Sequence, residues 1–193
     1  MHPAAIVALG FEYPMLGSHE RLVAAVEALP RSAVRKALDQ FAAAVGALEL
    51  AEWEELHTRT LDLSPAFVPY VGHVTWGENY RRGEFMADLK RDMEAHGVGL
   101  GGELPDHIEP VLRYVATAES PLADLLEVLG ASLDQMASTL RAADAKNPYG
   151  HLLGAARAVV QDLSPITIGV RRSARTTCCS GSSRTWRSPS WWW

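Results

Sequence analysis

The chain has 193 residues, 48% of them hydrophobic, with two cysteines and a formal charge of −5. That length allows one well-buried core and at most a small appendage, and no run of about 18 uncharged apolar residues offers a membrane span. Residues 171–193 hold five arginines and no acid, so residues 1–170 carry −10, a balance that argues against nucleic acid and suits a basic peptide partner.

The opening "MHPAAIVALGFEYP" lacks a basic segment and a small-residue cleavage site, which predicts a soluble cytoplasmic protein without stable membrane insertion. Helical periodicity continues through nearly all of residues 1–170, and no alternating or β-branched run is long enough for a strand. The fold class is therefore all-α, a single-domain bundle of about eight helices.

A first helix is expected over 3–13, ended by Pro14. A second starts behind Ser18, which can cap it, and ends at Pro30. The third, over 32–49, places Val34, Leu38, Phe41, Val45 and Leu48 on one face, a core stripe. Residues 51–63 continue in helix with Trp53, Leu56 and Leu63 available for packing, until "SPAFVP" breaks the chain. A short turn of helix, a joint at Gly77 and a longer helix ending at Gly97 follow. After the loop "GVGLGGEL" come helices at 105–118, 121–143 and 148–162, the last two behind the cap-then-proline pairs Ser120-Pro121 and Asn147-Pro148.

From about Arg171 the text changes to "RRSARTTCCSGSSRTWRSPSWWW", which has no period and holds four of the six tryptophans. It is expected to be disordered and reads as an aberrant C-terminus such as a shifted reading frame produces, with a basic, aromatic membrane anchor as the functional alternative. Both cysteines, Cys178 and Cys179, lie in it, adjacent and without metal-site spacing.

"GELPDHIEPVLRYV" places Asp106 beside His107 at the mouth of an apolar run. Neighbours on a helix point about 100° apart, so this acid is poorly placed to orient the ring as a triad acid does. No G-x-S-x-G motif occurs in residues 1–170, and no catalytic residue is assigned. The simpler reading is a helix start, with Pro105 and Asp106 in the first turn and Ile108, Leu112 and Val115 buried. His107 then stands at the surface, offering a donor and an acceptor to a partner.

The seven histidines form no H-x-x-H or H-E-x-x-H pair, so no metal is expected. "GVGLGG" has no preceding strand and no following G-K-[ST], so it reads as a helix cap and loop, and no cofactor is assigned. Tyr70, His73, Trp76 and Tyr80 precede Arg81 and Arg82. Trp76 and Tyr80, four apart, can share a helix face, and amphipathic rings of this kind serve cores and binding grooves alike. The glycines at 72 and 77 loosen a helix in their midst.

Two stretches, "LDLSPAFVPYVGHVTWGENYRRGEFMADLKRDMEAHG" and "GELPDHIEPVLRYVA", resemble the delta-chain family of respiratory nitrate reductases, the NarJ-type molybdenum-cofactor assembly chaperones within the TorD/DmsD-like redox enzyme maturation chaperones. The shared text is a T-[FL]-D-L, an aromatic-rich Y-x(5)-[YW]-G-x-x-x-R-R-G and an E-L-P-D-H before an apolar helix, and the likeness covers about residues 5–165. It implies an all-helical chaperone without catalytic activity over 1–170. That chaperone binds the cofactor-free catalytic (alpha) subunit of a membrane-bound nitrate reductase at its N-terminal segment, assists molybdenum-cofactor insertion and helps prevent premature membrane docking. By position, the resemblance implies a client groove of Tyr70, Trp76, Tyr80, Asp106 and His107, with Arg82 and Gly83 shaping the neighbouring helix start. Other readings are a chaperone for another molybdoenzyme, of the dimethyl sulfoxide or selenate reductase type, a small helical nucleotide-binding regulator, or an interaction module for folded partners.

Overall fold

The computed structural model describes residues 1–63 and 65–171, the last eight by backbone alone. Nine helices occupy these residues: α1 (Pro3–Phe11), α2 (Ser18–Glu27), α3 (Ala33–Gly46), α4 (Leu50–Leu61), α5 (Val71–Trp76), α6 (Tyr80–Ala95), α7 (Ile108–Thr117), α8 (Ala123–Ala143) and α9 (Tyr149–Arg171). The all-α expectation holds: among the described residues the one β feature is an isolated bridge between Tyr70 and His107. The predicted disorder of the tail and the state of its cysteines fall outside the described residues.

The core follows from hydrophobic patterning. Helix α1, "PAAIVALGF", is apolar on every face and is packed between α7, α9 and α2. On α3 the stripe Val34, Leu38, Phe41, Ala42 and Val45 is buried against α9 and α2, and Ser32 caps the helix by accepting from Arg35 N at 3.1 Å. Helix α8 lies against α9 and α5. Val111, Leu112 and Val115 of α7 are buried, each contributing about 1.5 to 3 kcal/mol of transfer free energy.

Several ends differ from the pattern reading, because tertiary partners set them. Leu63, expected to pack, is 70% exposed, since α4 stops at Leu61 and Leu61 takes the buried place. Ser18 does not cap α2 from outside. It is the first helical residue, behind Gly17, and its Oγ accepts from Met15 N at 3.0 Å. Helix α8 begins at Ala123 without a side-chain cap, and Leu122 N donates instead to the Tyr114 hydroxyl at 2.9 Å. Asn147 does cap α9: its Oδ1 accepts from Tyr149 N at 3.0 Å while its Nδ2 donates to Thr60 Oγ1 at 3.0 Å, tying α9 to α4.

Candidate functional site

The start of α7 is held by the segment preceding α5. Val71 N donates to Asp106 O at 2.8 Å and Ile108 N donates to Pro69 O at 2.9 Å, two bonds of an antiparallel bridge. The bridge sets Tyr70 beside His107, with ring centroids 5.2 Å apart in an edge arrangement. Helix α7 starts at Ile108, later than the pattern predicted, with His107 as its N-cap: Nδ1 accepts from Glu109 N at 3.4 Å. Pro110, in the first turn, costs no intrahelical bond because the amides there have no partner to lose.

Asp106 is 0% exposed. Arg82 Nε donates to its Oδ2 at 2.9 Å and Nη2 to its Oδ1 at 3.4 Å, a two-pronged pair. Its carboxylate is therefore spent on Arg82, not on the neighbouring imidazole, and the two adjacent residues are no dyad. Arg82 also approaches Glu78 Oε1 at 3.3 Å and lies over the Tyr70 ring at 5.7 Å. The hydrogen bond to Asp106 is the main reason its guanidinium is held above its ordinary value.

Gly72 makes this packing possible. A Cβ there would meet Asp106 Oδ2 at 2.7 Å and Arg82 Cγ at 3.2 Å, so its smallness admits the ion pair rather than loosening α5. Gly77 does break the helix, at φ +60 in the left-handed region. Trp76 and Tyr80 therefore sit on different helices and share no face. Trp76 packs on Phe85, centroids 5.0 Å apart, under the Arg81 guanidinium. Tyr80 opens α6 and is 81% exposed.

His107 is only 7% exposed, which corrects the expectation of a surface handhold: the bridge and the Tyr70 ring cover it. Burial pushes its imidazole below the ordinary value, against the opposing pull of Glu103 and Asp106. What remains accessible is one wall of a cleft of about 520 Å³. The cleft lies between the end of α1 (Phe11, Glu12, Tyr13), the end of α4 (His57, Leu61, Asp62), the loop at Leu100 to Glu103, and Tyr70, His107, Glu109 and Arg113. Glu12, Asp62, Glu103 and Glu109 face one cation, Arg113, which is itself paired with Glu109. Apolar and aromatic walls with carboxylates outnumbering the cation give the cleft a chemistry complementary to a cationic, partly apolar chain.

Burial disfavours the charged form of both His57 and His107, and outside the lining Arg21 approaches Glu12 at 3.8 Å. Burial brings His57 down to about 4, with His107 adding to the fall and Asp62 opposing it. Its Nδ1 lies 2.9 Å from the Tyr149 hydroxyl, and Tyr13 stands edge-on to it at 5.3 Å. Burial raises Glu109, with Arg113 restraining the rise.

Of the residues singled out from sequence, the fold gathers Tyr70, Arg82, Asp106 and His107, and leaves Trp76 and Tyr80 beside the cluster. Sequence reasoning missed the opposite wall, Glu12, Tyr13, His57 and Asp62. One signal was present: His57 falls four residues after Trp53 and four before Leu61, a polar ring inside a buried stripe.

No curated protein matches the chain. A family described as "Nitrate reductase delta subunit" matches residues 27–162, from the end of α2 into α9, and so covers the bridge, the ion pair and all of the cleft lining except Phe11, Glu12 and Tyr13. With most of its length in that match, the chain belongs to the nitrate reductase delta subunit family, a family of assembly chaperones.

Proposed function

We propose that the chain holds the cofactor-free catalytic subunit of a nitrate reductase competent for molybdenum-cofactor insertion, by binding that subunit's N-terminal segment in the acidic cleft. The observation that carries this reading is the cleft itself: about 520 Å³, aromatic on two sides, with four carboxylates against one arginine. A leader-like segment with arginines and apolar residues supplies the complementary charge and the buried area. In this reading Tyr70 and His107 touch the client, while Asp106 and Arg82 act through them, fixing the bridge that presents both rings. Trp76 and Tyr80 form an outer contact beside the cleft. No described helix is long and apolar enough to cross a membrane. In this reading the chain acts in the cytoplasm, where the client folds before it docks at the membrane.

Calorimetric titration of the full chain with a peptide from the N-terminus of a nitrate reductase catalytic subunit tests this. Selective binding over an unrelated twin-arginine leader, weakening with added salt and with Glu103→Gln, is the expected result. Equal affinity for both peptides would point to a different molybdoenzyme client. No binding to either by the folded protein would overturn the cleft as a client site.

A further inference from the structure

The two histidines of the cleft are held alike. Each is more than nine-tenths buried, His57 on α4 with 8% exposed and His107 at the start of α7 with 7%. Each makes one hydrogen bond through Nδ1, His57 with the Tyr149 hydroxyl and His107 with Glu109 N, and neither ring makes another among the described residues. The buried side-chain atom left without a partner among those residues is Trp53 Nε1, so neither histidine Nε2 is sealed inside. The recess that both side chains line is the acidic cleft.

Bond direction fixes where each ring keeps its proton. A backbone amide can only donate, so Nδ1 of His107 is the bare nitrogen and the proton sits on Nε2. At His57 the tautomer is set by Tyr149. That residue is 0% exposed, and burial pushes its hydroxyl upward, so the proton stays on the oxygen and has to be donated. The side chains packed around it, Phe11, Phe41 and Trp53, hold no acceptor, which leaves Nδ1 of His57. His57 therefore also carries its proton on Nε2.

Two such donors in an acidic cleft suit one class of acceptor. An anion is repelled by Asp62 beside His57 and by Glu103 beside His107, and a cation accepts nothing. A neutral carbonyl oxygen fits, and a peptide main chain offers one at each residue unless a helix has already taken it. We propose that His57 and His107 are paired Nε2–H donors to main-chain carbonyls of the bound segment, which lies across the cleft in extended form while the carboxylates take its cations. This rests on the cleft reading above and adds to it the client's backbone as a recognised element.

The test uses the full chain with its histidine nitrogens isotopically labelled, at about pH 7.5, above the ordinary histidine value. Long-range proton–nitrogen correlation spectra read each tautomer without any ligand, and both rings are expected to carry the proton on Nε2. A bare Nε2 on His57 overturns the proposal. On titration with a peptide from the N-terminus of a nitrate reductase catalytic subunit, both Nε2 signals are expected to move. His57→Leu alone strands the Tyr149 hydroxyl, so it is combined with Tyr149→Phe, which removes both partners of the buried bond. This double variant is expected to bind the peptide about fivefold more weakly, the contribution of one hydrogen bond. Its salt dependence should not change, because the lost contact carries no charge, whereas Glu103→Gln is expected to flatten that dependence. A double variant that binds as tightly as the unmodified chain, or that loses salt dependence, overturns the donor role and leaves the cleft standing. Equal affinity for the same peptide cross-linked into a helix overturns the extended form. If the unmodified chain does not bind the peptide, the cleft reading fails and the donor pair with it.

Discussion

The bridge cluster at the start of α7 and the linker between α1 and α2 meet across the acidic cleft and are built by opposite means. The cluster spends its conspicuous residues on itself: Asp106 is buried against Arg82, and His107 caps a helix under the Tyr70 ring. The linker has few internal bonds and turns Tyr13, Met15 and Leu16 outward. Polar residues that look functional hold shape here, and plain apolar residues are left exposed.

The comparison is broken most violently at Arg82. Arg82→Ala strands the Asp106 carboxylate, 0% exposed, without its counter-charge, and a cost of about 3 to 5 kcal/mol in stability is expected from denaturant unfolding. A shift of under 1 kcal/mol would show that the pair is not a strut.

Acid probes the other buried imidazole. A histidine held at about 4 in the folded chain and at 6.5 unfolded contributes stability that is full above 6.5 and is lost as pH falls towards 4, on the order of 3 kcal/mol. His107, pushed the same way, adds to the slope, and Glu109, pushed up, opposes it at the acid end. Melting temperature is expected to drop across that window, and His57→Gln, which can still meet the Tyr149 hydroxyl, is expected to flatten the drop. An unchanged slope would count against His57 as its source.

His107 sharpens the comparison because it belongs to both sides, cap and wall. His107→Ala is expected to cost about 1 kcal/mol, the value of a lost N-cap, seen as a melting shift of a few degrees, whereas His107→Asn restores the cap but not the ring. Stability recovered by asparagine without recovery of peptide affinity separates the two roles; recovery of both would reduce His107 to a cap. The smallest effect is expected at the linker. Leu16→Ser should move stability by less than about 0.5 kcal/mol, and a larger loss would place Leu16 in the core rather than on the surface.

Helix periodicity made α3 and α6 legible, since their buried residues repeat every three or four positions. The ends were harder. Leu122 is capped by a tyrosine hydroxyl from another helix, and His107 by a bridge to residues 69–71, neither visible to a local pattern. Tyr70, Arg82, Asp106 and His107, grouped by the family-like text, lie in contact with one another, but what each packs against required coordinates: a carboxylate reads the same in sequence whether it faces solvent or a buried guanidinium. Gly72 is the sharpest case. Its use is the space that another element's side chain occupies, and only the fold reveals it.

The pairing of early with late helices has a consequence for biosynthesis. Helix α1 is covered by α7 and α3 by α9, so the first helices to leave the ribosome wait for partners near the end of the chain. Domains that fold as units during translation cannot close until such partners emerge. For that interval the nascent chain is itself an incomplete helical body with uncovered apolar stripes, the condition from which it is proposed to shelter its client, and an interruption before α9 would leave α3 covered by α2 alone on its apolar side.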